Sequence, residues 1–438
     1  MSAGIRKSWV LLGALLPLVL LVLVVGGILF KAQGGFATLH VPREGTEPVA
    51  TDSETVARGE YLAQLGNCIT CHTVRGSQPF TGGRAFRSSY GTLYSTNLTP
   101  DKETGIGDWS VEEFRHAMRH GVSRNGLLYP AFPFANFTQL DEGDIDAIFA
   151  YLRQIQPIRV EPKSNELEFP ASQRAALIAW RMLYHRPAPV APTVDHTDPV
   201  SRGRYLVDGL GHCAMCHSKR GSMASLPADG YLVGTQILGQ NWYAPALDQK
   251  SLADWSIEEL AEYLRTGVSS KSAAYGPMAE VIYTSLRHLS EKDAIAIASY
   301  LKTVPSIPRR VSSMEREIRV ANAAHKFSSP NGKKIYEQHC VDCHQSDGRG
   351  RGRDYPPLAG NSQVSSDNTL NNIRVVLSGG VPPTTAGNPN PHSMPPFAEK
   401  LSDQEIADVL NYIRSAWGND GLGVTLDQVR ALRGSTLD

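Results

Sequence analysis

Three times the chain places two cysteines two residues apart and follows the second with a histidine. The frames are Cys68-Ile69-Thr70-Cys71-His72, Cys213-Ala214-Met215-Cys216-His217 and Cys340-Val341-Asp342-Cys343-His344. This pattern suits covalent attachment of haem. Two thiols add to two haem vinyl groups, and two spacer residues set the sulfurs at the vinyl separation. The adjacent imidazole then falls beneath the iron as its proximal ligand. Zinc needs four ligands and each frame supplies three. A thioredoxin-like redox pair requires no histidine at this place. All six cysteines of the chain lie in the frames, so none is left for a disulfide.

The ligand on the other face of each iron decides between electron carriage and chemistry. Methionine opposite histidine raises the reduction potential and closes the iron to small ligands. The segment "PHSMPPF" offers Met394, 50 residues after His344, and "AAYGPMAEVI" offers Met278, 61 residues after His217. Both stand in loops before the last helix of their repeat. The first repeat differs, because Phe132 in "LLYPAFPFANF" stands 60 residues after His72 and cannot ligate iron. Met118 shares an apolar helical face with Val111 and Phe114, which points to core packing. His116 and His120 align with Glu262 and Thr266 and are expected to face solvent. Met118, His116 or His120 would reach the first iron only if the loop refolds, and an open or unusually ligated first haem is the other reading. The segment around Phe132 supplies Arg124 and Tyr129 but no carboxylate or histidine.

The elements around the frames repeat as well. "ARGEYLAQLGNCITCH", "SRGRYLVDGLGHCAMCH" and "NGKKIYEQHCVDCH" each predict a short amphipathic helix running into a frame. Each carries a glycine, Gly59, Gly203 or Gly332, eight to ten residues before its first cysteine. Downstream, "DWSVEEFRHAMRHG" and "DWSIEELAEYLRTG" pair Ser110 with Glu113 and Ser256 with Glu259 as capping boxes. Gly121 and Gly267 end those helices. The third repeat has a looser counterpart, "TLNNIRVVLSGG". A last helix closes each repeat, with eleven residues from leucine to tyrosine every time (Leu140 to Tyr151, Leu289 to Tyr300, Leu401 to Tyr412). Those tyrosines are expected to pack on the first helix of their repeat. Trp109 and Trp255 are expected to brace the core beside the porphyrin. His212 and His339, just before their frames, are expected to be exposed, and Ser346 to Gly360 reads as a basic, solvated loop.

With 43 basic and 43 acidic side chains the net charge is zero, which argues against a nucleic-acid binder. Trp9 to Phe30 is an uncharged run of 22 residues, enough for roughly 33 Å of helix and so for a bilayer core. Arg6 and Lys7 precede it, which directs the rest of the chain outside. The run is longer than the apolar region of a cleaved signal peptide, the alternative reading. "HRPAPVAPTVDHTDP" and "TVPSIPRR" read as connections between repeats.

In "RGEYLAQLGNCITCHT", "WYAPALD", "GPMAEVI", "YPPLAGN", "RVVLSGG" and "MPPFAEKLSDQEIADVLNYIRSAWGN", the chain resembles the triple-haem cytochrome c subunits of membrane-bound bacterial dehydrogenases. The resemblance implies a mostly α fold, with three tandem cytochrome c domains after an N-terminal transmembrane helix. The expected divisions are 1–31 anchor or signal, 52–185 first domain, 186–199 linker and 200–304 second domain. A linker at 305–325, the third domain at 326–420 and a tail at 421–438 follow. The implied cofactors are three covalently bound haems c, on Cys68 and Cys71, Cys213 and Cys216, and Cys340 and Cys343. His72, His217, His344, Met278 and Met394 are the implied iron ligands. Family members pass electrons from a catalytic subunit (quinoprotein, flavoprotein or molybdenum-dependent) to ubiquinone or a terminal oxidase, in the periplasm at the inner membrane. The "YPAFPF" form around Phe132 resembles subunits paired with molybdenum hydroxylases and leans the partner that way. The competing function is a haem enzyme, peroxidase-like or binding a small ligand, built on the first haem.

Overall fold

The computed structural model describes residues 49–185, 194–307 and 329–435, apart from Ser222, Ala224, Leu238 and the stretch 226–229, together with Gly27. The apolar run Trp9 to Phe30 lies outside the described residues, as do most of the two connections between repeats. Among the described residues no helix is long and apolar enough to cross a membrane.

The described chain is mostly helical. One helix pair recurs three times: α1 (Ser53–Leu65) packs on α3 (Glu142–Gln154), α5 (Pro199–Arg204) on α8 (Glu291–Leu301), and α9 (Pro330–His339) on α11 (Asp403–Ser415). The recurring glycines explain this geometry. A methyl on Gly59 would overlap the carbonyl oxygen of Ala147, one on Gly203 that of Ala296, and one on Gly332 that of Asp408. Glycine inside a helix costs about 0.5–1 kcal/mol relative to alanine, and here it lets two helical backbones touch. Tyr151, Tyr300 and Tyr412 sit at the same crossings, with Cβ atoms 3.0, 2.7 and 3.0 Å from the position such a methyl would take.

The ends of the helices follow their sequence signals. Capping boxes start α2 (Val111–His120) at Ser110 and Glu113, α6 (Ile257–Thr266) at Ser256 and Glu259, and α11 at Ser402 and Glu405. Gly121 (φ 62°) and Gly267 (φ 79°) close α2 and α6 in the left-handed region. In the third repeat α10 (Leu370–Ser378) has no side-chain cap. In the second repeat α5 widens into a π turn over Tyr205–Leu210 before its frame, and α7 (Gly276–Thr284) carries Met278.

The first repeat adds an antiparallel sheet of β1 (Ala85–Ser88), β2 (Gly91–Tyr94) and β3 (Glu166–Leu167), in that order, and the helix α4 (Arg174–Tyr184). The segment expected to be a tail carries α12 (Leu426–Arg433), started by a Thr425–Gln428 capping box. Val429 is fully buried, and Arg433 donates to the carbonyl of Leu401 at 2.9 Å and to Asp403. This stretch therefore belongs to the core of the third repeat.

One hydrophobic core joins the first two repeats, and a second serves the third. The joint between the first two is reciprocal. Arg58 pairs with Asp144 of its own repeat, and the Tyr205 hydroxyl reaches over from the second repeat to donate to Asp144 at 2.7 Å. Arg202 pairs with Asp293 of its own repeat at 2.8 and 2.9 Å, and the Tyr61 hydroxyl reaches back to Asp293 at 2.7 Å. The motifs "RGEYL" and "RGRYL" thus supply one arginine for the home helix and one tyrosine for the neighbour's. The third repeat does not take part in this exchange: Asn331 bonds Asp408 at 2.7 Å, and Tyr336 donates to Gln345 O of its own repeat at 2.6 Å.

Candidate haem sites

Each frame begins where the first helix of its repeat stops. Asn67 (φ 52°) and His212 (φ 39°) turn the chain through the left-handed region, and the frames coil as short turns at Cys68–Cys71, Ala214–His217 and Val341–His344. All three frame histidines are held in one way. The Nδ1 of His72 bonds the carbonyl of Thr96 at 2.7 Å, that of His217 the carbonyl of Pro245 at 2.7 Å, and that of His344 the carbonyl of Pro356 at 3.1 Å. A carbonyl only accepts, so Nδ1 carries the proton and Nε2 keeps its lone pair. Burial pulls all three imidazoles below their ordinary value, against the opposing pull of these bonds, and keeps them neutral. A neutral, oriented imidazole with Nε2 free is the form that ligates iron. These residues fit haem.

The cysteines agree. Burial pushes the Cys68, Cys213 and Cys340 thiols up to about 12 and Cys71 to about 11. They are not the low-pKa, exposed thiols of redox exchange. A largely apolar cavity of about 370 Å³ is lined by Cys213, Cys216, His217 and Met278 and, continuously, by Cys340, His344 and Met394. The structure thus brings the second and third frames and both methionines to one space. Trp255 lines it too, while Trp109 packs on the core of the first two repeats.

The first and second frames are joined differently, through polar contacts. Thr70 Oγ1 donates to Thr284 Oγ1 at 2.6 Å, and Thr284 to Asn67 Oδ1 at 3.0 Å. Arg84 donates to Thr70 O at 2.7 Å and pairs with Glu280 on α7 at 3.0 and 3.2 Å. The Cys71 and Cys216 thiols are near enough that Cys216 raises Cys71 further. His212 is not exposed as expected. Its Nε2 donates to Gly66 O at 3.2 Å and its ring meets Phe137 at 5.8 Å, because the neighbouring repeat covers it. His339 is exposed, in line with the expectation.

In the first repeat, Phe132 packs on the shared core with its ring 5.5 Å from Phe137. Met118 is a buried core residue, as its helical face implied. His116 and His120 do not face solvent as expected; they are half-buried with rings 4.8 Å apart. Burial, with His116, Arg119 and Arg181 nearby, pulls His120 down to about 4. Arg124 pairs with Glu113, and the Tyr129 hydroxyl donates to Ala171 O at 2.9 Å.

The loop Ser346 to Gly360 is more than a solvated loop. It delivers the Pro356 carbonyl to His344, Gly350 N donates to His344 O at 3.1 Å, and Arg353 pairs with Glu262 of the second repeat at 3.0 Å. The three carbonyls that orient the histidines are the functional groups that reading the frames alone misses. A signal for them exists: Thr96-Asn97-Leu98, Pro245-Ala246-Leu247 and Pro356-Pro357-Leu358 each put a leucine two residues after the carbonyl.

The cytochrome c family model matches residues 56–156 and 329–417. Among curated relatives, the cytochrome c subunit of the quinone-type alcohol dehydrogenase of Gluconobacter oxydans is 38% identical over 397 residues, 87% of this chain and 83% of that one. The gluconate 2-dehydrogenase cytochrome c subunit of Pantoea cypripedii is 38% identical over 395 residues, 86% of this chain and 89% of that one. A nicotinate dehydrogenase subunit of Pseudomonas putida is 39% identical over 431 residues, 93% of this chain but 35% of the relative. Likeness of this extent, over residues that hold three imidazoles ready for iron, makes the chain a member of the cytochrome c subunit family of bacterial dehydrogenases, with covalently bound haem c as its cofactor.

Proposed function

We propose that the chain is the electron-transfer subunit of a dehydrogenase complex and carries three haems c, one per repeat. Each bound haem supplies an iron that alternates between ferric and ferrous states and so moves one electron. Cys68 and Cys71, Cys213 and Cys216, and Cys340 and Cys343 hold the cofactors, in domains at 52–185, 200–304 and from 326 onward through α12. His72, His217 and His344 bind through Nε2. Met278 and Met394 close the second and third irons, and Phe132 leaves the first without a methionine. The observation that carries this reading is the threefold bond from Nδ1 to a backbone carbonyl.

The arrangement also supports a conducting series in chain order. The first two frames meet through Thr70, Thr284 and Arg84, and the second and third share a cavity. Electrons enter from a catalytic subunit and leave to ubiquinone or a terminal oxidase. The names of the relatives support a dehydrogenase partner. The "YPAFPF" form, with the likeness to a nicotinate dehydrogenase subunit, leans the partner towards a molybdenum hydroxylase of N-heterocycles. Trp9 to Phe30 anchors the chain in the inner membrane, with the repeats in the periplasm. The carrier reading outranks the haem enzyme because the segment around Phe132 brings no carboxylate or histidine, and its Arg124 and Tyr129 are engaged in structural bonds.

The test is to purify the chain from its native membrane with whatever subunit accompanies it, and to add that subunit's substrate. Reduction of all three haems, followed by reoxidation on adding a ubiquinone analogue, is expected. Haems that stay oxidised with substrate present would overturn the proposal.

A further inference from the structure

Met278 and Met394 belong to different repeats, yet one side chain stands between the start of α7 and the loop of Met394. Met394 is fixed by a two-bond bridge: Gly380 N donates to Met394 O at 3.0 Å, and Met394 N donates to Gly380 O at 2.8 Å. Gly380 packs against the ring of Tyr275. A methyl on Gly380 would sit 3.0 Å from Cε1, 3.1 Å from Cγ and closer still to Cδ1. Tyr275 immediately precedes α7 and stands three residues before Met278. Its ring lines the cavity that both methionines line, and burial pushes its phenol up to about 12.

The surrounding joint leaves little slack. A methyl on Gly267 would overlap the Pro383 ring, and Thr385 Oγ1 donates to Thr266 O at 3.0 Å. Close-packed interiors transmit such displacements rather than absorb them. The first repeat shows the alternative. Tyr129 stands three residues before Phe132 as Tyr275 stands before Met278, but its hydroxyl is held by Ala171 of its own repeat. The tyrosine of the first repeat is fastened at home, whereas that of the second is fastened by the third repeat.

We propose that Tyr275 is a positioning residue that seats Met278 and Met394 together through Gly380, so that the sulfur ligation of the second and third irons is coupled. The inference rests on the reading of both methionines as axial ligands.

The test uses the full-length, haem-loaded chain. It follows the long-wavelength charge-transfer band of methionine-ligated ferric haem and the potential of each haem. Gly380→Ala drives a methyl into the ring and is expected to weaken the band and lower the potential at both haems. Adding Tyr275→Ala is expected to cost nothing further, because both changes undo the same seat. Tyr275→Phe keeps the ring and is expected to change neither. A change confined to the third haem, or losses that add in the double variant, would overturn the coupling. Should Gly380→Ala not accumulate, Tyr275→Ala alone decides: both potentials are expected to fall, and unchanged potentials refute the coupling. Met278→Ala and Met394→Ala give the reference. If they leave the band whole, the axial-ligand reading fails and the coupling falls with it. If they remove it and Gly380→Ala does not, only the coupling fails.

Discussion

The first and second repeats share almost every local device and differ on one face. Both start from an Arg-Gly-x-Tyr helix, hold the histidine by a backbone carbonyl, box the middle helix with serine and glutamate, and end it on a left-handed glycine. Their tyrosines exchange places across the joint, on Asp293 and Asp144. The difference lies at the glycine that ends the middle helix. A methyl on Gly121 would overlap the Phe134 ring of the same repeat, whereas one on Gly267 would overlap Pro383 of the third repeat. The first repeat covers this face itself, and in the second a neighbour covers it. The shared devices build the frame and hold its histidine, and the cover over the middle helix is what differs.

The sharpest way to break this comparison is to convert one repeat into the other. With Phe132 in place, one haem per chain is expected to bind carbon monoxide when reduced. Phe132→Met is expected to abolish that binding, and Met278→Ala to add a second binding haem. An optical titration with carbon monoxide checks all three.

Next in size is the reciprocal joint. Arg202→Ala leaves Asp293 buried without its cation, at a cost of about 3–5 kcal/mol. Asn331→Ala at the unshared third repeat is expected to cost about 1 kcal/mol or less, since it removes one exposed hydrogen bond. Chemical denaturation of the two variants compares the costs. Gly59→Ala and Gly203→Ala should each cost about 1–3 kcal/mol by overpacking the same helix crossing. Unequal losses in thermal melts would show that the two crossings are not equivalent. Tyr61→Phe and Tyr205→Phe are expected to cost about 1 kcal/mol each.

The smallest effect is one of pH. Burial pushes the Asp293 carboxyl up, but Arg202 and Tyr61 outweigh it and hold it below the ordinary 3.8. A depressed folded value means the contribution is complete above the ordinary value and is lost as pH falls through the lowered one. Tyr61→Phe is therefore expected to unfold at a slightly higher pH than wild type in an acid titration followed by circular dichroism.

What could be read from the chain was local. Cys-x-x-Cys-His, the serine–glutamate boxes and the closing glycines act within a few residues, and each lies where the sequence places it. Met278 reads as a loop residue but lies in α7, because Pro277 at the start of that segment opens a helix, while Met394 lies in a loop as expected. His212 was misjudged because it is covered by Gly66 and Phe137, which belong to another repeat. His116 and His120 read as solvent-facing by alignment with Glu262 and Thr266, but all four are half-buried, and the latter two meet Arg353 and Thr385 of another repeat. The basic loop at Ser346 to Gly360 reads as solvated until Glu262 and His344 are placed beside it. The glycines of the first helices were visible as a repeat, but their purpose needed the partner helix. Tertiary contacts decide such residues, and no period or motif carries them.

In the proposed function, one scaffold used three times attaches three haems. Intact mass of the purified chain tests it most directly, alone and with the cysteines of one frame at a time replaced by serine. Three haem additions on the unaltered chain, and the loss of one with each altered frame, are expected. A chain carrying fewer than three, or a frame whose loss removes none, would contradict the account.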